Sequence, residues 1–150
     1  MTRTTTTHAS AVLIGPKAVL IRGASGAGKS ATAWRLIEAG RQGMLPFARL
    51  VGDDRVLLEA VHGRLLVRPA QALAGLIEVR GLGIRRIDYE PVAVVGLVLD
   101  LGPPGPERLP SAQDAETALD GVVLPRIAAA SAEAALPALV AFLRTQLSGH

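Results

Sequence analysis

Residues 21–32 read IRGASGAGKSAT, and no other stretch of the chain limits the possible folds as strongly. Gly23, Gly28, Lys29 and Ser30 fit the spacing GxxxxGK[ST]; the apolar AVLIRG before them predicts a strand, and SATAWRLIEAG after them predicts a helix reaching about Gly40. A strand end, a glycine turn and a helix start must therefore meet around one small volume. Glycines accept positive φ, which lets backbone N–H groups converge on an anion, while the helix start adds its positive end and Lys29 a mobile point charge. Ser30 offers a hydroxyl to Mg²⁺, which prefers oxygen ligands. Gly23, Ala24, Ser25, Gly26, Ala27, Gly28, Lys29 and Ser30 are the expected phosphate cradle. A chance match in a chain of this composition has a frequency of roughly 0.2%.

With 150 residues the chain is the size of one domain. Hydrophobic residues make up 49% but aromatics only 3%, so the core must be built from Val, Leu, Ile and Ala. The absence of Cys excludes disulfides and Cys-based metal sites. No apolar run approaches the roughly 20 residues of a membrane span, and MTRTTTTHAS lacks the apolar stretch of a signal peptide, so a cytoplasmic protein without membrane contact is expected. The net charge is +3, from 14 Arg, 2 Lys and 13 acids. The arginines are scattered and aromatic stacking platforms are nearly missing, which argues against nucleic acid.

AVLIG and AVLIRG flank PK and predict a hairpin feeding the glycine loop, so the neighbourhood of that loop is partly antiparallel, unlike an ordinary doubly wound sheet. Lys17 reads as a turn residue. ARLVGDDRVLLEAVHGRLLV predicts two or three strands with a turn at His62 and Gly63; RPAQALAGLIEVRGLGIRRID, with its glycines, predicts short irregular pieces. PVAVVGLVLDL is a buried strand, GPPGPERLP a loop and GVVLPRIA a last strand. SAEAALPALVAFLRTQL predicts an amphipathic helix with Ser131 as N-cap and Pro137 as an interruption; its Leu136, Leu139 and Phe142 suit core packing or a partner surface. Thr4 to Thr7 are expected to fray, leaving residues 1–7 flexible ahead of a single domain.

Phosphoryl transfer needs a carboxylate near the metal and a base for a hydroxyl proton. Asp100 closes VVGLVLD, an apolar strand ending in an acid; Asp53 and Asp54 close ARLVGDD, where adjacent acids can face different ways. Asp114 and Asp120 lie in or beside loop-like sequence. From the residues alone both Asp100 and the Asp53–Asp54 pair stay open.

HASAVLIGPKAVLIRGASGAGKSATAWRLIEAG, LVGDDRV and LIEVRGLGI together resemble the catalytic domain of HPr kinase/phosphorylase, from about His8 to Ile87 and more loosely beyond. The resemblance implies an α/β fold with a mixed sheet, similar to phosphoenolpyruvate carboxykinase around the nucleotide. It implies an ATP- and Mg²⁺-dependent kinase that phosphorylates a serine of the phosphocarrier HPr and assembles as a homo-oligomer, a hexamer in the family. It further implies Asp53 as the catalytic acid/base, Ser30, Asp54 and Glu78 around the metal, His8 at the edge of the site and Arg80 near the phosphates. The chain is expected to be the short form without the family's N-terminal domain. LPRIA replaces a longer arginine-rich loop, leaving Arg126 as the candidate for phosphorolysis, which is expected to be weak. Two other classes are compatible with the glycine loop: an ordinary small-molecule kinase or NTPase using Asp100, and a nucleotide-binding regulatory module. An NKxD guanine-reading motif does not occur.

Overall fold

The computed structural model describes residues 3–102 and 115–148. In chain order the elements are β1 (Thr4–Thr7), β2 (Ser10–Ile14), β3 (Lys17–Gly23), α1 (Lys29–Arg41), β4 (Ala48–Gly52), β5 (Val56–Val61), β6 (Arg64–Pro69), a 3-10 turn (Gln71–Leu73), β7 (Leu76–Val79), β8 (Gly83–Arg86), β9 (Ala93–Leu101), β10 (Glu116–Leu119), β11 (Val122–Ala129) and α2 (Ala132–Ser148).

The hairpin expected ahead of the glycine loop is β2–β3, antiparallel from Ser10↔Ile21 to Ile14↔Lys17. Its turn falls on Gly15, at φ +62°, and Pro16. Lys17 is therefore not a turn residue but the first residue of β3. On the outer side of β2 lies β4, and on the far side of β3 lies β9, parallel to it. The other edge of β9 is shared: Ala93 and Val94 pair with antiparallel β6, whereas Val98 to Leu101 pair with parallel β11. One mixed sheet thus forks at β9 and continues through β6 and β5 to β1.

Several readings of the sequence change here. Thr4 to Thr7 do not fray but pair with Val56 to Glu59 as an edge strand, because β-branched residues suit a half-buried pleat even without apolar character. LIEVRGLGIRR is not irregular; β7 and β8 form a separate hairpin, with Leu76↔Arg86 at its base. A further strand, β10, pairs with β11 across Asp120 and Gly121, both at positive φ as a tight hairpin turn requires. His62 and Gly63 form the expected turn of the same kind between β5 and β6. Pro137 does not interrupt α2. It costs one backbone hydrogen bond near the helix start, while Ala135 and Leu139, both fully buried, hold the helix on the sheet. Leu136 and Phe142 pack against that same core, so these helix residues serve packing. Asp114 and most of GPPGPERLP lie outside the described residues.

Two apolar layers follow from strand alternation. Val12, Val19, Ile21, Leu97 and Leu99 face α1 and α2, which contribute Ala33, Leu36, Ile37 and Leu139. Ala11, Ala18, Leu20 and Val98 face the opposite way and are covered by Leu58, Leu65 and Val67 of the curled part of the sheet. Covering both faces buries the centres of β3 and β9, Ala18–Ile21 and Leu97–Leu99, which is why those stretches are continuous apolar runs.

The packing of α1 against β4 leaves no room for a side chain at Gly40, where a Cβ would stand 2.5 Å from that of Ala48 and 3.1 Å from its nitrogen. Gly40→Ala is therefore expected to destabilise the fold by about 1–3 kcal/mol. Thermal unfolding checks this, at about 2–4 °C per kcal/mol for a chain of this length. An unchanged melting temperature would mean that β4 gives way freely.

Candidate active site

Strands β3, β4, β9 and β11 run in one direction, so the segments that leave their carboxyl ends gather along a single rim of the sheet. Strand β2 runs oppositely and begins at this rim with Ser10. The rim collects Ala24–Gly28 after β3, Asp53 and Asp54 after β4, and Ser131 with the start of α2 after β11.

The glycine loop turns through Gly26 at φ +85° and Gly28 at φ +103°, and α1 starts directly at Lys29. Ala24, Ser25 and Gly26 are exposed, and around Gly26 a Cβ would meet nothing within 4 Å, so the loop borders open space. Lys29 folds back along it, its Nζ donating to the carbonyls of Gly23 (2.8 Å) and Ala24 (3.2 Å). Behind Gly28 lies Ala132, the first residue of α2, at 3.4 Å from the position of a Cβ. Ser131 caps that helix by accepting the Ala134 N–H at 3.2 Å.

Asp53 is the centre of the rim. Only 4% exposed, its carboxylate accepts the Ser10 hydroxyl on Oδ1 at 2.5 Å, the Ser30 hydroxyl on both oxygens at 2.8 Å, and the Glu78 N–H on Oδ2 at 3.0 Å. Three protons serve about four lone-pair positions, which leaves one for a further donor. Because Ser30 gives its proton to Asp53, its oxygen lone pairs stay available to a hard cation. Asp54 is exposed and sits at φ +68° inside a tight turn in which the Arg55 N–H reaches the Asp53 carbonyl at 2.7 Å. That conformation costs about 1–3 kcal/mol for a non-glycine residue and is typical of sites where chain direction serves chemistry.

The remaining sequence candidates divide. The backbone of Glu78 meets Asp53, while its side chain is exposed. His8 is exposed at the bend between β1 and β2. Arg80 is exposed at the tip of the β7–β8 hairpin, where the Leu82 N–H closes the turn on the Val79 carbonyl at 2.9 Å. Its charge reaches Glu133 at the start of α2, whose carboxyl is held below the usual range first by a backbone hydrogen bond and then by Arg35, with Arg80 contributing least. Among the described residues, no three His, Cys, Asp or Glu side chains form a metal cage. A phosphate-bound Mg²⁺ needs only one or two carboxylates, so the donors at Ser30 and Asp54 fit such an ion better than they fit a structural metal. Ser10 is the site residue that sequence reasoning missed; its only signal was a hydroxyl opening an otherwise apolar strand.

Asp100 and Arg126 form a different cluster. Arg22 grips Asp100 through Nε at 2.8 Å and a terminal nitrogen at 2.9 Å, and Arg126 Nε adds a bond at 2.6 Å. Burial raises the Asp100 carboxyl, but the bonds and charges of Arg22 and Arg126 together outweigh it and hold the group below its ordinary 3.8. The cluster ties β3, β9 and β11 together just below the loop. Since the folded value is depressed, its stabilisation is present above about pH 4 and is lost as pH falls through the folded value. Asp100→Asn should cost about 1–3 kcal/mol near neutrality, with the difference from wild type shrinking below about pH 4 in urea unfolding. A pH-independent difference would show that the charge of Asp100 contributes nothing.

Residues 1–90 match the HPr Serine kinase C-terminal domain family. HPr kinase/phosphorylase of Clostridium tetani is 41% identical over 83 residues, 55% of this chain and 24% of that protein. The Clostridium beijerinckii protein of the same name is 46% identical over 66 residues, 44% of this chain and 20% of its own length. The chain thus spans about a quarter or less of these relatives. The solved structure of the Hpr(Ser) kinase/phosphatase from Coxiella burnetii superposes with a TM-score of 0.77 at 24% identity, covering 97% of this chain and 99% of that one, and so shares the fold. With its matched segment carrying the loop, Asp53, Asp54 and the β7–β8 hairpin, the chain belongs to the HPr serine kinase C-terminal domain family.

Proposed function

We propose that this chain is an ATP- and Mg²⁺-dependent protein kinase that transfers the γ-phosphoryl group to a serine of the phosphocarrier HPr. The observation that carries the reading is the buried Asp53 carboxylate, bonded to Ser30 at the start of α1 with one lone-pair position left over. The strand, glycine loop and helix, flanked by an antiparallel hairpin, support a phosphate loop of the phosphoenolpyruvate carboxykinase type. Solution as a homo-oligomer, a hexamer by resemblance, belongs to the same proposal.

In this reading the loop N–H groups of Ala24 to Gly28 hold the phosphates, and Lys29 exchanges its two carbonyl partners for phosphate oxygens. Mg²⁺, when bound with the nucleotide, supplies neutralisation of the phosphate charge, and Ser30, Asp54 and Glu78 would hold it. Asp53 accepts the proton of the seryl hydroxyl as that oxygen bonds to the γ-phosphorus and the bond to the bridging oxygen of ADP breaks. General-base help of this kind is worth about 10²–10⁴-fold. His8 would lie at the edge of the site, and Arg80 would steer an anionic group toward it. Arg126 would assist phosphorolysis only by leaving Asp100, so the forward direction dominates. The same cluster disfavours the rival in which Asp100 binds the metal, since two guanidiniums already occupy its oxygens.

Transfer of labelled γ-phosphate from ATP to purified HPr tests the reading. Lys29→Met should abolish transfer and weaken nucleotide binding, and Asp53→Asn should keep nucleotide binding but lose about 10²–10⁴-fold in rate. Asp100→Asn, assayed where it is folded, should retain most activity. The opposite ranking of Asp53 and Asp100 would favour an ordinary NTPase, and nucleotide binding without any transfer would favour a regulatory module.

A further inference from the structure

We infer that Ser10 is a positioning residue for Asp53, fixing which lone pair of the carboxylate is open to the substrate hydroxyl. The inference rests on the kinase reading of Asp53. Ser10 is fully buried between Ala9 and Ala11, which are also fully buried, and its neighbour across the hairpin is Ile21. A strand start in such surroundings packs equally well with Ala, and a buried hydroxyl is tolerated only when it has a partner. Here the partner is Asp53 Oδ1, 43 residues away in sequence and 2.5 Å in space.

The other two donors do not fix the carboxylate by themselves. Ser30 spreads one proton over both oxygens at the same 2.8 Å, which resists rotation of the carboxylate plane only weakly. The Glu78 N–H holds Oδ2 alone. Ser10 pins Oδ1 from the strand side, so two opposed bonds set the plane and the unfilled position is left at a defined angle. Removing the Ser10 hydroxyl leaves Oδ1 short of a donor in a buried site, and the group is free to turn. Misorientation of a base slows proton acceptance without weakening phosphate binding, because the Ser10 hydroxyl is committed to Asp53.

The test is steady-state transfer to HPr by wild type, Ser10→Ala and Ser10→Thr, each also in an Asp53→Asn background, with Mg²⁺–ADP binding measured in parallel. Ser10→Ala should lower kcat roughly 10- to 100-fold, the effect of one hydrogen bond to a charged group. The KM for HPr and the ADP affinity should stay within about threefold, and Ser10→Thr, which restores the hydroxyl, should recover most of kcat. In the Asp53→Asn background Ser10→Ala should cause little further loss. A Ser10→Ala enzyme with wild-type kcat, a loss of equal size in both backgrounds, or a loss that Ser10→Thr does not recover would each overturn the inference while leaving the kinase reading intact. A wild-type chain that binds ADP but transfers nothing to HPr would instead overturn the kinase reading and this inference with it.

Discussion

The arrangement of the rim depends on one buried negative charge. A carboxylate taken out of water costs several kcal/mol unless nearby donors replace its hydration, and Asp53, 4% exposed, receives two hydroxyls and a backbone N–H. Its donors come from the start of β2, the start of α1 and the middle of β7, three places that sequence separates by up to 68 positions. Each is drawn toward the same two oxygens, so the charge organises the loop, the hairpin and the sheet edge around itself. Loss of the charge would leave those donors short of an acceptor, and loss of any donor would leave the charge underpaid in hydrogen bonds.

That charge could not be placed without the fork in the sheet. Because β6 and β11 share one edge of β9, the strands β3, β9 and β11 run parallel at their carboxyl ends while the remainder of the sheet curls over the opposite face. The helices then need only cover one side, and α2 can pack its first turn behind Gly28. The fully buried residues of both apolar layers are aliphatic and interdigitate closely, with Trp34 and Phe142 packing only at the margin of the helix-side layer.

The parts legible in sequence are those whose signals are local. AVLIGPKAVLIRG shows two apolar runs around a Gly-Pro turn, and GASGAGKS fits a spacing with few alternatives, so the hairpin and the loop could be read directly. Thr4 to Thr7 could not, since a polar low-complexity run has no apolar period and becomes a strand only because β5 offers it an edge. The β7–β8 hairpin was hidden by Gly75, Gly81 and Gly83, all at positive φ and all read as irregularity when they are the turns that shape it. Ser10 was hidden for a stronger reason: its meaning lies in a bond to a residue 43 positions away.

Asp53 and Asp100 show most clearly where local pattern stops deciding. Both end parallel strands on the same rim, one after a longer apolar run and the other beside a second acid, so pattern alone leaves either open as the acid of a metal site. Their surroundings differ in kind. Asp100 meets two guanidiniums whose fixed positive charges already satisfy it and hold its proton affinity down, which leaves little field for a metal ion or a substrate proton. Asp53 meets neutral hydroxyls and an amide, which satisfy its hydrogen bonding while leaving its negative charge uncancelled. A carboxylate that must attract a proton or a cation needs the second environment, and one that must clamp strands together needs the first.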